Sequence, residues 1–152
     1  MSEKPNSSVV CVDASVVIDF LIPGPFSASA LTMLRNWQSG RVAIIAPLLL
    51  AYEVTSVLRS AVYRERIGTE RGDEAFAQFR QLPIRYLSRD EVVPVAWQMS
   101  KSLNRSRAYD TTYLAVARLN GCDFWTADKR LYNAVSSSLG WVRWIEEAPA
   151  AG

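Results

Sequence analysis

The run Val9-Val10-Cys11-Val12, followed at once by Asp13-Ala14-Ser15, constrains the fold more than any other stretch of this chain. A short run of apolar, mostly β-branched residues has no polar face. It therefore reads as a strand covered on both sides, as strands are inside a parallel sheet. The run ends in a carboxylate, at the end of a strand where open α/β sheets bind their ligands. Asp13 thus stands where chemistry is expected, and the question becomes which other carboxylates converge on it.

The rest of the chain alternates in the same way. A helical turn over residues 15–21 is stopped by Pro23-Gly24-Pro25, and a helix capped by Ser27 or Ser29 runs to about residue 38, with Gly40 as its stop. Residues 42–46 read as a second strand, and Pro47 as the opening of a long helix over 48–67. On that helix Leu50, Val54, Val57, Leu58 and Ala61 form one apolar arc, with Glu53 at its margin. Gly68 and Gly72 are expected to flank a turn before a helix over 73–81, followed by a strand over 84–87. Ser88 and Glu91 have the spacing of a capping box for the next helix, whose Val95, Met99 and Leu103 share a face. A polar loop over 104–107 leads to Asp110 and a helix over 111–119 that is apolar nearly all round, hence buried, and is ended by Gly121. Residues 124–126 and 141–145 give two more strands, with a short helix carrying Leu131 and Tyr132 between them. Strands alternating with helices predict an α/β fold: a three-layer sandwich around a mostly parallel sheet of about five strands. It spans one domain, residues 9–146, between flexible tails at 1–8 and 147–152.

Four acids recur at telling places. Asp13 and Asp128 each close an apolar strand, Asp110 opens a helix too apolar to face water, and Glu53 borders a core stripe. Singly, each has a structural explanation as a helix cap, a first-turn charge or a solvated residue. Jointly they point to one cleft, because a parallel sheet brings the carboxyl ends of its strands to a single edge. Clustered carboxylates repel unless a cation neutralises them, and an all-oxygen set suits Mg²⁺ or Mn²⁺. Such a site suits phosphodiester hydrolysis. Asp123 falls at the opposite edge, Asp90 and Glu91 start a helix, and Asp19 has a supporting role at most.

Composition narrows the alternatives by an absence, since the chain contains no histidine. That excludes histidine-dependent nucleases, Ser-His-Asp hydrolases and histidine-liganded metal sites. Cys11 and Cys122 both adjoin apolar runs and read as buried free thiols of a reducing compartment, so the cytoplasm is expected. No apolar segment approaches the roughly 20 residues of a membrane span, so no membrane partner is expected. A net charge of +2 permits a nucleic-acid partner without arguing for one.

The motifs Val12-Asp13-Ala14-Ser15, Pro47-Leu48-Leu49-Leu50-Ala51-Tyr52-Glu53, Tyr109-Asp110-Thr111-Thr112-Tyr113-Leu114-Ala115-Val116-Ala117 and Thr126-Ala127-Asp128-Lys129-Arg130-Leu131 occur in this order over nearly the whole chain. In that order and spacing they resemble the PIN-domain ribonucleases, particularly the VapC toxins of prokaryotic toxin–antitoxin pairs. The resemblance implies that Asp13, Glu53, Asp110 and Asp128 form a catalytic acidic quartet around Mg²⁺ or Mn²⁺, supported by the hydroxyls of Ser15 and Thr126. It also implies an endoribonuclease acting on RNA, a homodimer, and a small antitoxin protein that occupies the site. The fourth acidic position is the most variable in that family.

Arg105, Arg107 and Lys129 flank two of these acids and are candidates for substrate phosphates, with Arg59, Arg64, Arg66 and Arg130 further afield. Trp37, Trp97, Trp125 and Trp141 read as core or dimer residues rather than base-stacking platforms. Two competing readings are a non-catalytic module of the same fold and a phospho-acceptor receiver domain. A receiver needs adjacent acids after the first strand and a Lys on the last, and this chain has neither. A nuclease of RNA maturation is the nearer alternative, against which the short single domain favours the toxin.

Overall fold

The structure, a computed structural model, describes residues 8–147. Five strands, β1 (Val9–Val12), β2 (Ala43–Pro47), β3 (Ile84–Leu87), β4 (Asp123–Thr126) and β5 (Val142–Trp144), form one sheet in the order β3-β2-β1-β4-β5, every pair parallel. Seven helices connect them: α1 (Ala14–Leu21), α2 (Ser27–Ser39), α3 (Leu49–Tyr63), α4 (Thr69–Gln81), α5 (Val92–Ser102), α6 (Tyr109–Leu119) and α7 (Lys129–Val135). The strand order steps from β1 outward to β3, then returns past β1 to β4. Right-handed crossovers running in opposite directions place their helices on opposite faces of a sheet, and β4 records this in successive residues. Phe124 packs on Tyr113 of α6, with ring centroids 6.1 Å apart, whereas Trp125 packs on Trp37 of α2 at 6.0 Å. The expected three-layer sandwich is present. Cys11 and Val12 are fully enclosed, as the all-apolar run requires.

Ser8 and Glu147, the innermost residues of the expected tails, are tied to the domain. The Ser8 carbonyl accepts the Ala43 N–H at 2.9 Å, and the Glu147 carboxylate accepts the Tyr132 hydroxyl at 2.8 Å. The remainder of both tails lies outside the described residues. Among the described residues no helix is long and apolar enough to cross a membrane.

Several element boundaries differ from the sequence expectation, each for a local reason. Pro47 closes β2, paired with Leu87, instead of opening α3; without an N–H it is tolerated at the end of a strand. Helix α3 stops at Tyr63, not near Ile67. Its last turn closes with Glu65 N–H to Val62 and Arg66 N–H to Ala61 carbonyls, a Schellman motif with Glu65 at φ 57°. A glutamate in the left-handed position leaves no sequence signature, whereas Gly121 ends α6 by the same device at φ 59°, as expected. Val57, placed on the apolar arc of α3, is 39% exposed. The capping box at Ser88 is absent, and α5 starts at Val92 after Glu91, which makes no side-chain cap. A start at Ser88 would put Pro94 in the second turn, where its ring clashes with the preceding carbonyl; the later start keeps it in the first turn.

Gly72 sits inside α4 rather than in a turn, because α4 begins at Thr69. It is buried, and a Cβ there would fall on the Val62 side chain of α3. The glycine is what lets α3 and α4 approach. Gly72→Ala is therefore expected to lower stability by about 1–3 kcal/mol in urea unfolding, despite the better helix propensity of alanine. Gly68→Ala, with nothing within 4 Å of the added Cβ, is expected to cost less, under about 1 kcal/mol, since alanine is a poorer N-cap than glycine at the start of α4.

Candidate active site

Asp13 lies one residue past β1, with its backbone N–H donating to the Trp125 carbonyl of β4 at 3.0 Å. It occupies the N-cap position of α1 but its side chain makes no cap hydrogen bond. One oxygen, Oδ2, accepts the Thr126 hydroxyl at 2.7 Å and the Ser15 hydroxyl at 2.9 Å. Those hydroxyls in turn accept backbone N–H groups of the next connection: Ser15 Oγ from Ala127 at 3.0 Å and Thr126 Oγ1 from Asp128 at 2.9 Å. The chain leaves β1 toward one side of the sheet and leaves β4 toward the other, so this junction is the topological switch point. Only 7% of Asp13 is exposed, and Thr126 is fully buried.

Two further carboxylates act on it. Burial pushes the Asp13 carboxyl up to about 6; the Thr126 and Ser15 hydroxyls oppose the rise, and the charges of Asp110 and Glu53 add to it. Glu53, half-buried on α3, is also raised by burial, eased by a hydrogen bond from the Tyr113 hydroxyl at 3.1 Å, and raised again by Asp110. Asp110, in the first turn of α6, thus acts on both other acids, and its Oδ2 meets the Arg105 guanidinium at 3.4 Å. Buried Tyr113, three residues along the same face of α6, joins Glu53 to this group. Its ring reads as core from sequence, and only the i, i+3 spacing from Asp110 signals its second role.

The fourth acid behaves differently. Asp128 is exposed, and its Oδ1 accepts the N–H groups of Arg130 and Leu131 at 3.0 and 3.2 Å as the N-cap of α7. It is not among the charges that shift Asp13 or Glu53. Its link to the cleft is its own N–H on Thr126 Oγ1. Asp19 accepts the Phe26 N–H at 3.3 Å and supports the loop before α2, while Asp123 pairs with Arg143 at 3.3 Å on the strand edge away from Asp13. Of the candidate phosphate contacts, Arg105 is engaged by Asp110, and the Lys129 ammonium lies over the rings of Trp144 and Tyr132, 4.5 and 5.3 Å from their centroids. Arg107 is exposed, with no ion pair among the described residues.

The donors suit a hard divalent cation, being carboxylates that repel one another with hydroxyls behind them. Among the described residues no three His, Cys, Asp or Glu side chains stand close enough to hold an ion unaided. Mg²⁺ sites commonly use one or two carboxylates directly and complete the shell with water; one or two of Asp13, Glu53 and Asp110 as direct ligands, with water bridging to the rest, fit that pattern.

A parallel α/β sheet with acids gathered at its switch point defines a class, and the comparisons agree with it. Residues 10–136 match the family model of the PIN domain. The VapC ribonuclease Mb0985 of Mycobacterium bovis and the ribonuclease VapC9 of Mycobacterium tuberculosis are each 31% identical over 110 residues, covering 69% of this chain and 84% of theirs. The chain belongs to the PIN-domain family and, within it, to the VapC ribonucleases.

Because the folded chain holds the Asp13 proton more tightly than the unfolded chain does, ionising it costs stability. The cost is absent below about pH 4, develops between about pH 4 and 6, and is complete above. A rise from 3.8 to about 6 corresponds to about 3 kcal/mol at neutral pH. Asp13→Asn, measured in EDTA, is expected to melt higher than the native protein at pH 7.5, with the gain gone by pH 4. An unchanged or lower melting temperature at pH 7.5 would contradict the burial cost.

Proposed function

We propose that this protein is a metal-dependent endoribonuclease, the toxin of a type II toxin–antitoxin pair, and that Asp13, Glu53 and Asp110 hold its Mg²⁺ or Mn²⁺. The observation that carries the reading is the Asp13 carboxylate, buried at the switch point, fixed by two hydroxyls and repelled by two other acids. A fold keeps such a costly arrangement where a cation relieves it. When bound, the ion supplies Lewis acidity to the phosphodiester and lowers the pKa of water beside it.

The chain's own residues prepare the cleft. Ser15 and Thr126 both donate to Oδ2 and so fix the orientation of Asp13. Tyr113 orients Glu53 across the cleft. Asp128 contributes as the cap of α7, holding the chain after Thr126 in place, and has an outer role in the metal site. Arg107 is free to meet RNA phosphates, and Lys129, next to Asp128 in the chain, is held over the rings of Trp144 and Tyr132. The expected setting is the cytoplasm, with a small antitoxin protein as partner. A homodimer is supported by α5, where Val93 and Trp97, one turn apart, are 71% and 62% exposed; large apolar side chains grouped on one helix face mark interaction surfaces.

Incubation of the purified protein with a total RNA pool is expected to give discrete fragments with Mn²⁺ or Mg²⁺, and none with EDTA or with Asp13→Asn. Asp128→Ala is expected to retain cleavage, slowed by about 10- to 100-fold as for a residue outside the metal's own ligands. Fragments that persist in EDTA would overturn the mechanism. Tyr113→Phe keeps the buried ring but removes the hydroxyl that orients Glu53; calorimetry is expected to show Mn²⁺ binding weakened by about tenfold, with little change in melting temperature.

A further inference from the structure

Arg105 is the described cation that pairs with an acid of the cleft, and the way it is placed is specific. Helix α5 ends in a Schellman motif with Asn104 at φ 51°, its N–H on the Lys101 carbonyl and the Arg105 N–H on the Ser100 carbonyl at 2.8 Å. The left-handed residue reverses the chain and pins the Arg105 backbone to the last turn of α5. From there its guanidinium reaches Asp110 Oδ2 at 3.4 Å, the two side chains being 30% and 40% exposed. Asp110 is also the acid whose charge acts on both Asp13 and Glu53. Arg107, two residues on, carries the same charge in the same loop without such a partner.

We propose that Arg105 is a positioning residue that serves as a built-in counter-cation of the metal cleft: it holds Asp110 in the metal-free protein and competes with the divalent ion for that carboxylate. The pair is long, partly exposed and single-pronged, so it is weak enough to be displaced. Its effect is to set the divalent concentration at which the cleft fills, and to turn a guanidinium loose beside the cleft once it has. This rests on the reading of Asp13, Glu53 and Asp110 as ligands of the ion.

The test is isothermal calorimetry of Mn²⁺ binding to the full chain, without RNA. Arg105→Gln is expected to bind Mn²⁺ about two- to five-fold more tightly than the native protein, the range that displacing a partly exposed ion pair allows. Arg105→Lys is expected to return toward the native affinity. Arg107→Gln, which removes the same charge, is expected to leave affinity within error. In the Asp110→Asn background, Arg105→Gln is expected to have no further effect. During a Mg²⁺ titration the NMR resonance of the Arg105 side-chain Nε–H is expected to move while that of Arg107 stays. Equal effects of the two glutamine variants, or weaker binding by Arg105→Gln, would overturn the role and leave the nuclease reading standing. Native protein that binds no Mn²⁺ would overturn both.

Discussion

A single carboxylate taken out of water organises this molecule. Asp13 sits where the connections leaving two neighbouring parallel strands diverge, and its partners are the hydroxyls of Ser15 and Thr126 rather than a cation or the backbone N–H groups of α1. Two hydroxyl hydrogen bonds do not offset the loss of hydration, so the group is driven up to about 6 in spite of them. The arrangement persists because its surroundings are over-determined. Thr126 and Ser15 each carry a second hydrogen bond from the backbone that follows β4, and the adjacent strand residues are wholly enclosed. Helix α1 forgoes its natural cap so that the carboxylate can face the cleft.

The other acids divide by what they do to Asp13. Glu53 and Asp110 come from helices that follow or approach the same strand edge, and their charges reach it. Asp128, although it closes β4 as Asp13 closes β1, turns its carboxylate back onto the first turn of α7, where two N–H groups and the helix dipole hold it. The two strand ends look alike in sequence and differ in role because Asp13 has two side-chain hydroxyls within reach, while Asp128 meets bare backbone donors. Arg105 adds a further element, a cation anchored by helix geometry to the acid whose charge raises both Asp13 and Glu53.

Much of this was legible in the chain itself. The unbroken apolar runs dictate doubly covered strands, their alternation with helices dictates a parallel three-layer fold, and the lack of histidine, with only two separated cysteines, leaves a catalytic site to carboxylates, hydroxyls, Lys and Arg. The positions of Asp13, Glu53 and Asp110 follow from the same patterns, since each adjoins a core element and a strand or helix end. What only the tertiary structure decided involves groups distant in the chain or conformations without a sequence mark. Tyr113 meets Glu53 across 60 residues and Thr126 meets Asp13 across 113. The left-handed Glu65 that ends α3 and the glycine contact between α3 and α4 are likewise invisible to local rules. So is the choice of Asp128 to cap and of Arg105 to pair. Periodicity and propensity fix which residues lie at an edge; the packing of separate elements fixes which polar groups find one another there.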